Sequence, residues 1–342
     1  MHPILFPILF ALALVAVHSV ELNHPYHDLS GPTWTELAPI SRGPRQENGV
    51  TAVGTDVYII GGVPQLPPNS TSIPTLDWVE IYSTLENSWR IASPIPTPVN
   101  HANAVSVHGR VYVLGGMAGD ATWEGIPDCF EYVPETNTWN TLPPMPSGYG
   151  RGASALGVHR STVYLAGGLI SLNFITGQQV SANTVSSYNI ETHEWTTLPS
   201  LPEGRDHVGG SVIDDTLYVV GGRVNGVANV RNTTFALDLI RPEKGWAEKS
   251  EMPTARGGLA TSQIGSLIYT FGGEGNRSLI PNGVYNEAEV YNTKSDIWTT
   301  LPVMPYPRHG TNAASVGRCI FIPGGGNVTG AAAVSTNDAF CI

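Results

Sequence analysis

A chain of 342 residues with 41% hydrophobic and 13% charged side chains is too apolar to remain disordered, and 38 glycines with 27 prolines punctuate it as a protein of many strands and turns. Its net charge of −11, from 28 acidic against 17 basic residues, argues against nucleic acid or anionic membrane as the general partner, because phosphate binding takes a basic face. Three cysteines are too few for the disulfide framework of a small secreted domain.

The first segment reads as separate from the fold. Residues 4–17 are almost wholly apolar, and Val17-His18-Ser19 follows as a small-residue cleavage pattern, so residues 1–19 are expected to be a cleaved signal peptide and 20–30 a short leading segment. Only His2 stands before the apolar run, which leaves an uncleaved anchor as the alternative, although the run is short for a spanning helix. Four Asn-x-Ser/Thr acceptors, Asn69, Asn232, Asn276 and Asn327, each fall shortly after a double glycine, in loops expected to be exposed. Together these features predict a secreted, glycosylated protein.

From there the chain repeats itself. A β-rich run ending in two glycines occurs as VYIIGG at 57–62, VYVLGG at 111–116, VYLAGG at 163–168, LYVVGG at 217–222, IYTFGG at 268–273 and IFIPGG at 320–325. The first glycines stand at 61, 115, 167, 221, 272 and 324. Trp34, Trp89, Trp139, Trp195, Trp246 and Trp298 keep the same beat, each ahead of a Pro-rich exit. Between glycines and tryptophan lies one more short strand, as in VEIYS at 79–83 and AEVYN at 288–292.

The double glycine, the aromatic three residues before it and the tryptophan after it resemble the kelch motif, over residues 31–342. That resemblance implies an all-β fold, a single six-bladed kelch-type β-propeller with four strands, A to D, in each blade. The N-terminal strand around Trp34 is then expected to complete the sixth blade and close the ring. Cys319 and Cys341 fall on neighbouring strands of that blade, as a bridge or as two packed thiols, and Cys129 reads as a lone buried thiol. The recurring tryptophans and the aromatics at 58, 112, 164, 218, 269 and 321 read as packing between blades.

Function is less legible, because one fold hosts many activities. Sixteen residues before the first glycine stand Arg45, Arg151, Arg205, Arg256 and Arg308, with Val99 in the second unit. Either each pairs structurally within the scaffold, or the five form an anion-recognising mouth together with Tyr149, Asp206 and His309. The residues that break the repeat include Glu47, His101 and His207, which would serve as general base and acid if they met across the channel. No His-Glu-x-x-His, Cys-x-x-Cys, Walker loop or nucleophile elbow occurs, and no metal or cofactor is expected. The resemblance implies a monomeric binding module for a protein or glycan, anionic ligands included, at the channel mouth. The alternative is a carbohydrate-active enzyme of the sialic-acid epimerase type; a galactose oxidase-like activity fits less well.

Overall fold

A computed structural model describes residues 31–342 apart from 69, 71, 175 and 276–279. The expected leader and the acceptors Asn69 and Asn276 lie outside the described residues.

The repeats fold as six antiparallel blades around one axis. The fourth is representative: Gly209–Ile213, Thr216–Val220, Thr234–Asp238 and Trp246–Lys249 pair in that order as strands A, B, C and D. Alternation places Leu217 and Val219 at zero exposure against the neighbouring sheets. The strand ends because Gly221 and Gly222 turn with φ of 62° and 90°, where a side chain is strained; a Cβ on Gly222 would also meet the stem of Arg205 at 2.8 Å.

Neighbouring blades are joined by the recurring tryptophans. The Trp89 indole N–H donates to the Ala38 carbonyl at 2.8 Å, Trp139 to Ser93 at 3.0 Å, Trp246 to Pro199 at 2.9 Å and Trp298 to Ser250 at 2.9 Å. Each ring thus buries apolar area and satisfies a carbonyl of the preceding blade. Across the ring closure Trp34 donates to Pro302 at 2.9 Å, and Thr33–Glu36 pairs with Asn337–Cys341 as the fourth strand of the last blade. In the same blade Cys319 lies opposite Cys341, and a disulfide joins them.

The six loop faces are unequal. In blade 2, strands Arg110–Gly119 and Thr122–Val133 run on past the double glycine, and Leu169–Asn173 of blade 3 pairs with the extension. This raised wall buries Trp123 with Ile73, Met117 and Leu169. Blades 4 to 6 carry no such extension among their described residues.

Candidate functional site on the propeller axis

Each blade enters strand A through a turn whose residue, two after the arginine position, has a left-handed backbone: Glu47 (φ 54°), His101 (50°), Ala153 (50°), His207 (50°), Gly258 (63°) and Gly310 (63°). These turns hold one another around the axis. The His101 N–H donates to Glu47 O at 2.7 Å, Ala153 to His101 at 3.0 Å, Gly258 to His207 at 2.8 Å and Gly310 to Gly258 at 3.0 Å, and Glu47 donates to Gly310. Three of the six positions are Ala or Gly, so only Glu47, His101 and His207 send functional groups to the centre. Non-glycine residues held in this conformation cost about 1–3 kcal/mol each and persist where something else requires them.

The three side chains meet. Glu47 Oε2 is 2.9 Å from His101 Nε2, which is 2.8 Å from His207 Nε2; Glu47 Oε2 to His207 Nε2 is 3.8 Å. All three residues are 6–7% exposed. They form the floor of a channel cavity of about 80 Å³, walled by Asn48, Asn103, Ser154 and Thr311 at the entries to the A strands.

A further layer fixes them. Asp206 accepts from His207 Nδ1 at 2.6 Å, and also from Gln179 at 2.6 Å and from Ser181. Asn100 Oδ1 accepts from His101 Nδ1 at 2.6 Å, and its amide orientation is set by donation from Nδ2 to Thr75 Oγ1 at 2.8 Å. Arg223 donates to Asp206 at 3.1 Å, to His207 Nε2 at 3.0 Å and to Glu274. His309 donates from Nε2 to the Val328 carbonyl at 2.9 Å, with Nδ1 3.4 Å from Glu274 Oε2.

Electrostatics follow from this packing. Burial opposes the charge on Glu47, but His101, His207 and His309 outweigh it and hold the carboxyl well below its ordinary range. Burial likewise opposes ionisation of Asp206, where His207 and Arg223 prevail, and of Glu274, where His309 and Arg223 prevail. Burial and then Arg223 push His207 down, toward the neutral imidazole. Among the described residues Glu47, His101 and His207 bring one ligand atom each within 4.8 Å of one another, a geometry open to a metal ion.

The arginines do something else. Arg45, Arg151, Arg205, Arg256 and Arg308, open in the sequence to scaffold pairing or to an anion-binding mouth, are at most 2% exposed, and their guanidiniums are taken up within the blades. Arg308 pairs with Asp338 at 2.6 Å, Arg256 with Glu289 at 3.1 Å, and Arg45 with Glu80. Arg205 contacts Glu203 at 3.2 Å and lies over the Phe235 ring at 5.1 Å; Arg151 donates to the Gly167 carbonyl at 2.7 Å and to Ser186 Oγ at 2.7 Å. In each blade the partner sits at one register position of strand C, occupied by Glu80, Ser186, Phe235, Glu289 and Asp338. In blade 2, where Val99 replaces arginine, that position is Phe130, and the two share one apolar cluster. Tyr149 is also scaffold: its carbonyl accepts from Arg151 at 2.8 Å and its ring packs in the core shared by blades 2 and 3.

Of the remaining residues singled out in the sequence, Glu47, His101, Asp206, His207 and His309 converge. Arg223 and Glu274 were missed, although the repeat points to them: each directly follows its double glycine, where the other units carry Val63, Met117, Leu169 and Gly326. Asn232 is half-buried and donates to Glu251 at 3.1 Å, and Asn327 is exposed.

Six closed kelch-type blades with a polar axial cluster define the class, and comparison with known proteins agrees. A family model described as the KLHDC2/KLHL20/DRC7 Kelch-repeats domain matches residues 153–342, and the Kelch motif matches 44–96 and 98–146. The chain belongs to the kelch-repeat family. It is 41% identical over 305 residues to Kelch-like protein terF of Aspergillus terreus, covering 87% of this chain and 65% of that one. It is 32% identical over 211 residues to Kelch repeat and BTB domain-containing protein 12 of Danio rerio, covering 57% of this chain and 32% of that one. A solved structure titled "Structure of YjhT" superposes with a TM-score of 0.67 at 17% identity, covering 88% of this chain and 95% of that one, a likeness of fold alone. The chain thus spans less than two thirds of the length of these two relatives.

Proposed function

We propose that the chain is a recognition module that binds a protein partner as an extended peptide on its loop face. One observation carries this reading: between blades 5 and 6 that face opens into a groove of about 460 Å³ lined by Val284, Tyr285, Asn286, Tyr306, Asn327 and Val334. Tyr306 is 46% exposed there, an amphipathic ring of the kind that anchors interfaces at low entropic cost. Apolar rings beside amide side chains suit a peptide, whose backbone needs hydrogen bonds while its side chains seek burial. Peptides selected on the wild-type protein from a displayed library should lose at least tenfold in affinity on Tyr306→Ala with Asn286→Ala. They should keep their affinity on Ile91→Ala, in strand D of blade 1. Selection that yields nothing, or binders indifferent to the groove variants, overturns the reading.

Export and glycosylation belong to the same proposal. They are supported by the apolar N-terminal run, by four acceptor sequences and by the Cys319–Cys341 bond, which suits an oxidising compartment. Expression in a eukaryotic host should give secreted protein whose mobility rises on endoglycosidase treatment; retention in the cytosol without a shift contradicts it.

A second reading is favoured by the 2.9 Å Glu47–His101 pair at the floor of the channel, a base and acid within hydrogen-bond reach. With the five arginines committed to the blades, the substrate would be a small uncharged polar molecule, a neutral sugar in place of a sugar acid. A thermal-shift screen should then find neutral sugars that stabilise the wild type and not Glu47→Gln, and the absence of any such sugar removes this reading.

A further inference from the structure

The hydrogen-bond directions around the two axial imidazoles are fixed from outside. Asp206 only accepts, so His207 carries its proton on Nδ1. Arg223 only donates, so His207 Nε2 presents a lone pair. Asn100 spends its amide nitrogen on Thr75 and turns its oxygen to His101, which therefore also carries a proton on Nδ1. Two imidazole Nε2 atoms 2.8 Å apart and the Glu47 carboxylate thus converge on one point, His207 and Glu47 as acceptors and His101 with only its Nε2 undecided. A neutral His101 would set its Nε2 lone pair against the Glu47 carboxylate and against the His207 lone pair that Arg223 engages, a repulsive contact that a shared cation relieves.

The charge inventory repeats the demand. Glu47, Asp206 and Glu274 face a single guanidinium, Arg223, which leaves two negative charges for the imidazoles and any bound ion to balance. Uncompensated charge in a site this buried is costly. We propose that Glu47, His101 and His207 form a three-ligand site for a divalent transition-metal ion of the zinc class, open to the axial channel.

The donor set suits that class. Two imidazoles and one carboxylate are the ligands of many zinc sites that keep a fourth position for water or a ligand, and here the fourth direction faces the channel. Each histidine is oriented through its other nitrogen by a carboxylate or amide oxygen, as metal-bound histidines are. Binding requires Arg223 to release His207 Nε2 while it keeps Asp206 and Glu274. The site is independent of the blade 5–6 groove, so either proposal can fail alone.

The full chain, stripped with a chelator and dialysed, is titrated with Co²⁺. One equivalent should bind with visible d–d absorption and be displaced by Zn²⁺. Glu47→Gln and His207→Ala should abolish the band, and Asn100→Ala should weaken binding about 10–100-fold, the usual effect of losing an orienting partner. X-ray absorption on the Zn²⁺-loaded wild type needs no variant: two imidazoles and oxygen ligands at about 2.0–2.2 Å are expected. No uptake overturns the proposal. So does an adventitious ion only, seen as binding that survives both ligand variants or an absorption spectrum without imidazole.

Discussion

His101 and His207, 106 residues apart in sequence, meet edge to face on the propeller axis with their Nε2 atoms 2.8 Å apart. The contact follows from the repeat itself. Both occupy the left-handed position at the entry to strand A, which blades 5 and 6 fill with glycine, and the backbone ring carries whatever side chain stands there toward the centre. Closure of the ring builds the scaffold, and the units that depart from it supply the polar axial cluster.

The buried arginines are expected to matter for stability. Arg308→Leu strands the Asp338 carboxylate inside blade 6 and should cost about 3–5 kcal/mol in urea unfolding. Joining it to Asp338→Leu should restore most of the loss, as blade 2 suggests by holding Val99 and Phe130 at these positions. A single variant within 1 kcal/mol of wild type would show that the pair is not a structural element.

Ring closure should be equally sensitive. Deleting residues 31–40 removes the strand paired with Asn337–Cys341 and exposes that edge, so the product should lose its cooperative melt or aggregate. Cooperative unfolding at an unchanged temperature would contradict closure by this strand.

The bond between Cys319 and Cys341 closes a short loop, with a sequence separation of 22. Replacing both by serine should lower stability by about 2–4 kcal/mol, and a reducing agent should lower the wild-type melting temperature without affecting the variant.

Cys129 is buried, and burial pushes its thiol up to about 12. Native protein at pH 8 should therefore leave a disulfide reagent unreacted, and one thiol per chain should appear on unfolding. Rapid labelling of folded protein would mean that this part of blade 2 opens.

Glu203 gives a small pH signal. A hydrogen bond from Arg231 holds its carboxyl below the ordinary 4.5, so its contribution is complete above that pH and is lost as pH falls through the lower folded value. At 39% side-chain exposure the effect is screened, so Glu203→Gln should cost under about 1 kcal/mol at pH 7 and nothing once wild-type Glu203 is protonated. An equal cost at both pH values would assign the loss to packing.

The fold was legible because a propeller writes its period into the chain: glycines that must turn with positive φ and tryptophans that must reach the preceding blade cannot vary freely. The same ruler located Glu47, His101 and His207. It left the arginines open between two readings, because their partners on strand C lie at varying distances from the glycines, with Glu80 and Asp338 aligned by sheet register and not by sequence spacing. Arg223 and Glu274 stood one residue beyond the marker. The metal-capable set was invisible to motif spacing, since its ligands come from blades 1, 2 and 4. The groove at Tyr306 depends on the conformations of three unequal loops, which no repeat specifies.

The proposed metal site places an ion on the axis at Glu47, His101 and His207 and leaves the five arginines within the blades. Anomalous diffraction from a crystal of the full chain soaked in Co²⁺ tests it most directly. One axial peak is expected at about 2.0–2.2 Å from Glu47 Oε2, His101 Nε2 and His207 Nε2, with the five arginine side chains unmoved. An axis without a peak, or an ion held only by surface histidines, would contradict it.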